Sequence, residues 1–223
     1  MTSHRFEFGL AATFVLLIAV SWLWQNPGVV QGPLTPLERE RYMAALQHLP
    51  LPEAERPGLM QAARAWMDSD DGQPVYMLNV MRYYPELLRF AGAPAIEATP
   101  QQSNTHYEDQ VMPLLFRVGG YPAYAGEVRN RNLLEHGGSL DDWSRVLLVR
   151  YPSRRAFLDL ISNPAYAPIE PYKLMALRTM LTPTQPELVI PPLPWLMASL
   201  LLPLFLATGW WRAARRNTHR EQR

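Results

Sequence analysis

The stretch "RVLLVRYPSRRAFLDLISNPAY", Arg145 to Tyr166, changes its rhythm halfway. Up to Tyr151 it alternates as a strand does; beyond Pro152 the apolar Ala156, Phe157, Leu160 and Ile161 fall at helical spacing. The pattern predicts a strand over 143–151 that passes through a Ser153 cap into a helix, which "NP" at 163–164 ends. Working outward, "PVYMLNVMRY" (74–83) and "YPAYAGEVRN" (121–130) read as earlier strands and "LRTMLTPT" (177–184) as the last. "THYEDQVMPLLFRVGG" (105–120) reads as a helix between the first two strands. Thr105 and Glu108 form its capping box, Pro113 kinks it, and Gly119–Gly120 stops it. A short helix is expected near Ile169–Ala176, and "RNLLEHGGSLDD" (131–142) is the turn region between the middle strands. The order β, α, β, β, α, β gives an α+β, ferredoxin-like βαββαβ domain over 74–186.

Two helices are expected ahead of it, within a segment spanning 26–73. In "TPLERERYMAALQHL", Thr35 caps, Pro36 takes the first helical position and Glu38 completes a capping box. In "PEAERPGLMQAARAWMD", Leu59, Ala62, Ala63, Trp66 and Met67 make one face. These read most simply as a packing collar, with a partner-binding face as the alternative.

Both ends of the chain are apolar. Phe8–Trp24 is 17 residues without a charge, about 26 Å if helical, and Leu193–Trp211 is 19, about 28 Å. Trp22, Trp24, Trp195, Trp210 and Trp211 lie near their ends, where indole rings favour an interface. The expectation is two flanking transmembrane helices, in segments 1–25 and 187–211, with a basic tail at 212–223. Between them stand 15 Lys and Arg against 18 Asp and Glu, a net of −3, while the tail carries five Arg against one Glu. By the positive-inside rule both termini are expected in the cytoplasm of a bacterial inner-membrane protein, with residues 26–190 periplasmic. A cleaved signal peptide, with "AVS" at 19–21 as its site, is the competing account of the first run. The Arg cluster is explained by topology, so no nucleic-acid partner is expected. The absence of cysteine excludes thiolate metal sites and thiol nucleophiles.

These residues carry a resemblance. "PVYMLNVMRYYPE", "GGYPAYAGEV" and above all "WSRVLLVRYPSRRAFLDLISNPAY" resemble domain-of-unknown-function family 1330, within the dimeric α/β-barrel superfamily, over about Pro74 to Thr182. The resemblance implies that two copies pair their sheets into a barrel, hence a homodimer. The superfamily includes small monooxygenases, haem-dependent enzymes, lactone isomerases and ligand-sensing domains, so fold does not name function. One departure matters. Where relatives carry a His-Arg pair shortly after the Asn-Pro-x-Tyr turn, this chain has Tyr172 and Lys173 in "PYKLMALR", so chemistry resting on that pair is not carried over.

The candidate ligand pocket is Asn79, Arg82, His106, Tyr107, Glu127 and Trp143. Asn79 interrupts the apolar face of the first strand, and a buried amide must be satisfied by a structural bond or by a ligand. His106, at a helix start, carries an imidazole suited to base or haem-ligand roles, against the plainer role of an exposed residue. Glu127 and Arg129 share a face of the second strand, where a polar-substrate contact competes with an ion pair, and Arg82 ends the first strand. Trp143 could wall a pocket or cap the core. Arg154 and Arg155, in a first helical turn, are expected to meet solvent or a partner. No cofactor or metal is expected, since there is no phosphate loop, nucleophile elbow or paired-His motif. Two readings stay open: a two-span membrane protein presenting this domain for assembly, as homodimer or complex subunit, or for binding a small apolar ligand; and a cofactor-independent monooxygenase or isomerase acting on an apolar, membrane-derived substrate.

Overall fold

The computed structural model describes residues 3–51, 53–130, 142–191 and 193–221. Most of the expected turn region, 131–141 with His136, lies outside the described residues. In chain order the elements are helices α1 (Ser3–Gln25), α2 (Gly28–Gln31), α3 (Pro36–Leu46) and α4 (Arg56–Asp68), strand β1 (Val75–Tyr83) and helix α5 (Pro100–Arg117). Strands β2 (Tyr121–Glu127) and β3 (Arg145–Tyr151), helices α6 (Arg154–Ile161) and α7 (Glu170–Ala176), strand β4 (Leu177–Thr184) and helix α8 (Leu193–Glu221) complete the chain. It divides into two compact units, Met1–Gln185 and Pro186–Arg223.

The four strands form one antiparallel sheet in the order β2-β3-β1-β4. In its register Asn79 lies opposite Leu147 on one side and Leu181 on the other, so these three share a face. The pairing of β2 with β3 shifts between Pro122 and Tyr124, where proline has no N–H to give the ladder. The face carrying Val75, Met77, Val149 and Tyr151 packs against the helices in one core with Tyr42, Leu46, Met67, Leu115, Leu158 and Leu160.

The helix after β1 begins earlier than its sequence predicts. Thr99, not Thr105, is its cap: Thr99 Oγ1 accepts from Gln102 N–H, and Gln102 Oε1 accepts from Thr99 N–H. Pro100 at the first helical position settles the choice, as Pro36 does beside the Thr35–Glu38 box. Thr105 instead donates to the Gln101 carbonyl one turn back, and Glu108 is released for another use. Pro113 lies inside the helix, which continues to Arg117. There Gly119 takes φ +77°, and the N–H groups of Gly119 and Gly120 close onto Phe116 and Leu115.

Arg154 and Arg155 are also placed otherwise than expected. Neither is left to solvent. Arg154 reaches back to α4, with Nε 3.4 Å from Asp70, side chains only 9% and 2% exposed, and further bonds to Ser69 Oγ and the Trp66 carbonyl. Arg155 grips both carboxylate oxygens of Glu38, at 2.8 and 3.1 Å. With Tyr42 Oη donating to Asp159 at 2.6 Å, these contacts pin α3 and α4 onto α6. The collar is one body with the domain it covers.

The expected membrane spans are corrected. Among the described residues no helix is long and apolar enough to cross a membrane. This overturns the two transmembrane helices and, with them, the inner-membrane placement and the assignment of 26–190 to the periplasm. The physical reason lies in length and composition. The charge-free runs of 17 and 19 residues stand at the short end of the range of about 17–25 residues that spans a bilayer, and Pro194 and Pro203 interrupt the second.

Candidate functional site

A cavity of about 460 Å³ lies between the helix-facing side of the sheet and the helices above it. Met77, Leu147, Val149 and Leu181 supply its sheet side, while Val111, Leu115, Trp66, Ala62 and Phe157 come from α5, α4 and α6. The volume is within the ~300–1,000 Å³ range of small-molecule sites. Its apolar character follows from strand alternation on one side and helical stripes on the other.

One part of the lining is polar: Asn79, Tyr107, Glu108, Arg145, Glu170 and Lys173. Asn79, 4% exposed, donates through Nδ2 to the carbonyls of Met77 at 3.2 Å and Leu147 at 3.5 Å. Those two bonds occupy the amide hydrogens and leave Oδ1 to accept from Lys173 Nζ at 3.0 Å. The ammonium also sits 5.5 Å from the centre of the Tyr107 ring. Burial lowers Lys173 from its ordinary 10.5 to about 8, against the attraction of Glu170 and Glu108. Glu170, one turn earlier on α7, is raised by burial from 4.5 to about 7, with Lys173 opposing.

The surroundings hold these groups in place. Arg145 pairs with Glu108 at 3.0 Å, and Glu108 also accepts from Asn104 at 3.0 Å. Tyr107 and Tyr166 bring their hydroxyls to 3.4 Å, and burial pushes both phenols well above their usual range. Two polar atoms among the described residues are left without a partner on this same lining: Glu170 Oε2 and Thr179 Oγ1. A buried oxygen left unmet costs ~1–3 kcal/mol.

The structure brings together Asn79 and Tyr107 from the sequence-derived set and places the others elsewhere. His106 is exposed on α5, its ring 4.3 Å from that of Tyr172 and bonded to Gln110. Glu127 pairs with Arg129 at 3.3 Å, both well exposed, and Arg82 pairs with Asp142 at 3.1 Å. Trp143 is half-buried before β3 and is not on the cavity lining. Among the described residues no group of three His, Asp or Glu gathers as a metal site.

Sequence reasoning passed over Glu170 and met Lys173 only as a departure from a family pattern. A plain signal was present. The chain has twenty arginines and one lysine, and the one lysine is the residue in this cavity.

No family model matches the chain, so the resemblance to family 1330 is not confirmed, and no curated protein matches it. Solved structures do match. A protein of unknown function from Rhodopseudomonas palustris is 23% identical over 59% of this chain and 94% of its own, with a TM-score of 0.49. The methylated form of that protein is 24% identical over 59% of this chain and 92% of its own, with a TM-score of 0.50. SnoaB, a cofactor-independent oxygenase from Streptomyces nogalater, is 12% identical over 54% of this chain and 99% of its own, with a TM-score of 0.36. At 24% identity and a TM-score of 0.50, the likeness to the methylated form is one of fold.

Proposed function

We propose that this protein binds a small, largely hydrocarbon molecule with one carbonyl or enol oxygen, and moves a proton on it as an isomerase does. The observation that carries the reading is the polar group of Lys173, Asn79 and Glu170 set into a largely apolar cavity of about 460 Å³. The apolar walls hold the carbon skeleton, and the Lys173 amine addresses the oxygen. Glu170, whose carboxyl is raised to about 7, is suited to take a proton at neutral pH and return it elsewhere. The chain's own groups suffice for that chemistry.

The test follows hydrogen exchange at carbon next to the carbonyl. Apolar ketones incubated with the protein in heavy water should exchange those hydrogens faster than in buffer, by NMR, and Glu170→Gln should abolish the excess. Buffer-level exchange from a ketone that raises the melting temperature would reduce the site to binding alone.

A homodimer belongs to the same proposal. On the sheet's other face Tyr124 and Met180 are 59% and 48% exposed, beside half-buried Leu78, Val80, Val146 and Leu148. A second copy set against that face would cover them. Light scattering after size exclusion should give twice the chain mass, and a monomer with Tyr124→Glu.

A further inference from the structure

We infer that Lys173 Nζ is a nucleophile that condenses with the carbonyl carbon of an apolar aldehyde or ketone held in the cavity, forming an imine, while Glu170 carries the protons. This rests on the reading above that the cavity takes a small apolar carbonyl compound.

The choice of residue is the first support. The ion-pairing tasks described above all go to arginine: Arg129 with Glu127, Arg145 with Glu108, Arg154 with Asp70, Arg155 with Glu38. Arginine is the better residue for such pairs, being always charged and able to bind in a fork. What lysine alone adds is an amine that can lose its proton and attack carbon. The chain keeps one, and keeps it in the cavity.

Placement is the second. Nζ donates to Asn79 Oδ1 at 3.0 Å, and Asn79 is itself fixed by two backbone carbonyls. One N–H of the amine is thereby committed, and in the neutral amine the lone pair is not. Glu170 stands three residues before it on α7, on the same lining, with Oε2 unpartnered among the described residues. Burial adds to the geometry. At pH 7 a lysine lowered from 10.5 to about 8 holds on the order of 10² times more of its population as free amine than an exposed one. The charged and titratable groups around it are Glu170, Glu108 and Arg145, with Tyr107 beneath the amine.

The step balances without an oxidant. The Nζ lone pair forms a bond to the carbonyl carbon, and the carbonyl oxygen takes the proton of the Glu170 carboxyl. Glu170 recovers a proton from the new nitrogen centre and passes it to the hydroxyl as the carbon–oxygen bond breaks. Water leaves, and a protonated imine faces the Glu170 carboxylate. That imine acidifies the neighbouring C–H, which is the chemistry proposed above.

The experiment uses the full chain with cinnamaldehyde and nonanal, sodium cyanoborohydride as the trap, and the matching alcohols as unreactive counterparts. Besides Lys173 the only primary amine is that of the chain start. Peptide mapping should place the reduced adduct on Lys173, formed on the order of 10²-fold faster at pH 7 than on N-acetyl-lysine methylamide. Glu170→Gln should slow trapping at least about tenfold while melting like the parent. Lys173→Arg should leave only the chain-start amine labelled; were that variant unfolded, the parent's peptide map decides alone. If aldehydes and alcohols both raise the melting temperature while Lys173 stays unmodified, the imine is refuted and the pocket stands. If no probe raises the melting temperature and none labels Lys173, both readings fall.

Discussion

Lys173 and Glu170 sit where burial disfavours the charge of each, and the pH dependence of stability follows from that. Lys173 has a folded value near 8 below its ordinary 10.5, so the stability it confers is full above about pH 10.5 and is lost as pH falls through about 8. Glu170 runs the other way: raised from 4.5 to about 7, its contribution is full below about 4.5 and lost as pH rises through 7. Urea denaturation across pH should therefore show the parent gaining on Lys173→Met between pH 8 and 10.5, with a slope approaching ~1.4 kcal/mol per unit. A flat difference would mean that the amine titrates normally. Asn79→Ala should cost ~1–3 kcal/mol by stripping the amine of its acceptor and two carbonyls of their donor. Of these residues, Asn79 was legible as a polar side chain on an apolar strand face, and Tyr107 as a candidate pocket residue. Glu170 was not, because a Glu before a proline in a short helix reads as an ordinary first-turn acid. With the cap at Thr99, His106 is exposed in mid-helix rather than at a helix start.

Among the elements, caps decided the boundaries and side chains of one helix fastened another. Thr99-Pro-Gln-Gln and Thr105-His-Tyr-Glu both fit a capping pattern, and only the first has proline at the opening position. Thr99→Ala should lower stability by ~1 kcal/mol and Thr105→Ala by no more than ~0.5, read from denaturant midpoints. Equal costs would contradict the placement of the cap. The Arg155 guanidinium holds the Glu38 carboxyl down at about 2, so that contact stabilises above about pH 4.5 and is lost as pH falls through 2. Arg155→Met should accordingly be less stable than the parent at pH 7, with the gap closing in acid; acid titration by circular dichroism reads it. The strands from β1 to β4 and the Ser153-capped helix were readable because alternation and capping are local, whereas the start of α5 was not. The two arginines were misread because a first-turn cation looks unfavourable until a carboxylate from another helix arrives.

In the molecule taken whole, the collar completes the core. Tyr42, Met43, Leu46, Leu49 and Met67 are buried with the sheet, and Leu46, Leu49, Leu59 and Trp66 help to line the cavity. A fragment starting at Gln73 is therefore expected to lose near-ultraviolet circular dichroism and to bind a hydrophobic dye, whereas a spacer would be dispensable. The terminal runs teach the opposite lesson: freedom from charge was read as a membrane span, but thickness and composition fall short among the described residues. What depends on neighbours along the chain could be read from the residues alone: the element order, the Thr35 and Ser153 caps, the Gly119 stop, and which strand residues share a face. Which chemical groups meet depends instead on the packed fold. Lys173 and Asn79 lie 94 positions apart and Arg155 and Glu38 lie 117 apart, and no periodicity reaches across such distances. Their encounter is set by how helices seat on a twisted sheet, because close packing lets few side chains occupy the same hollow.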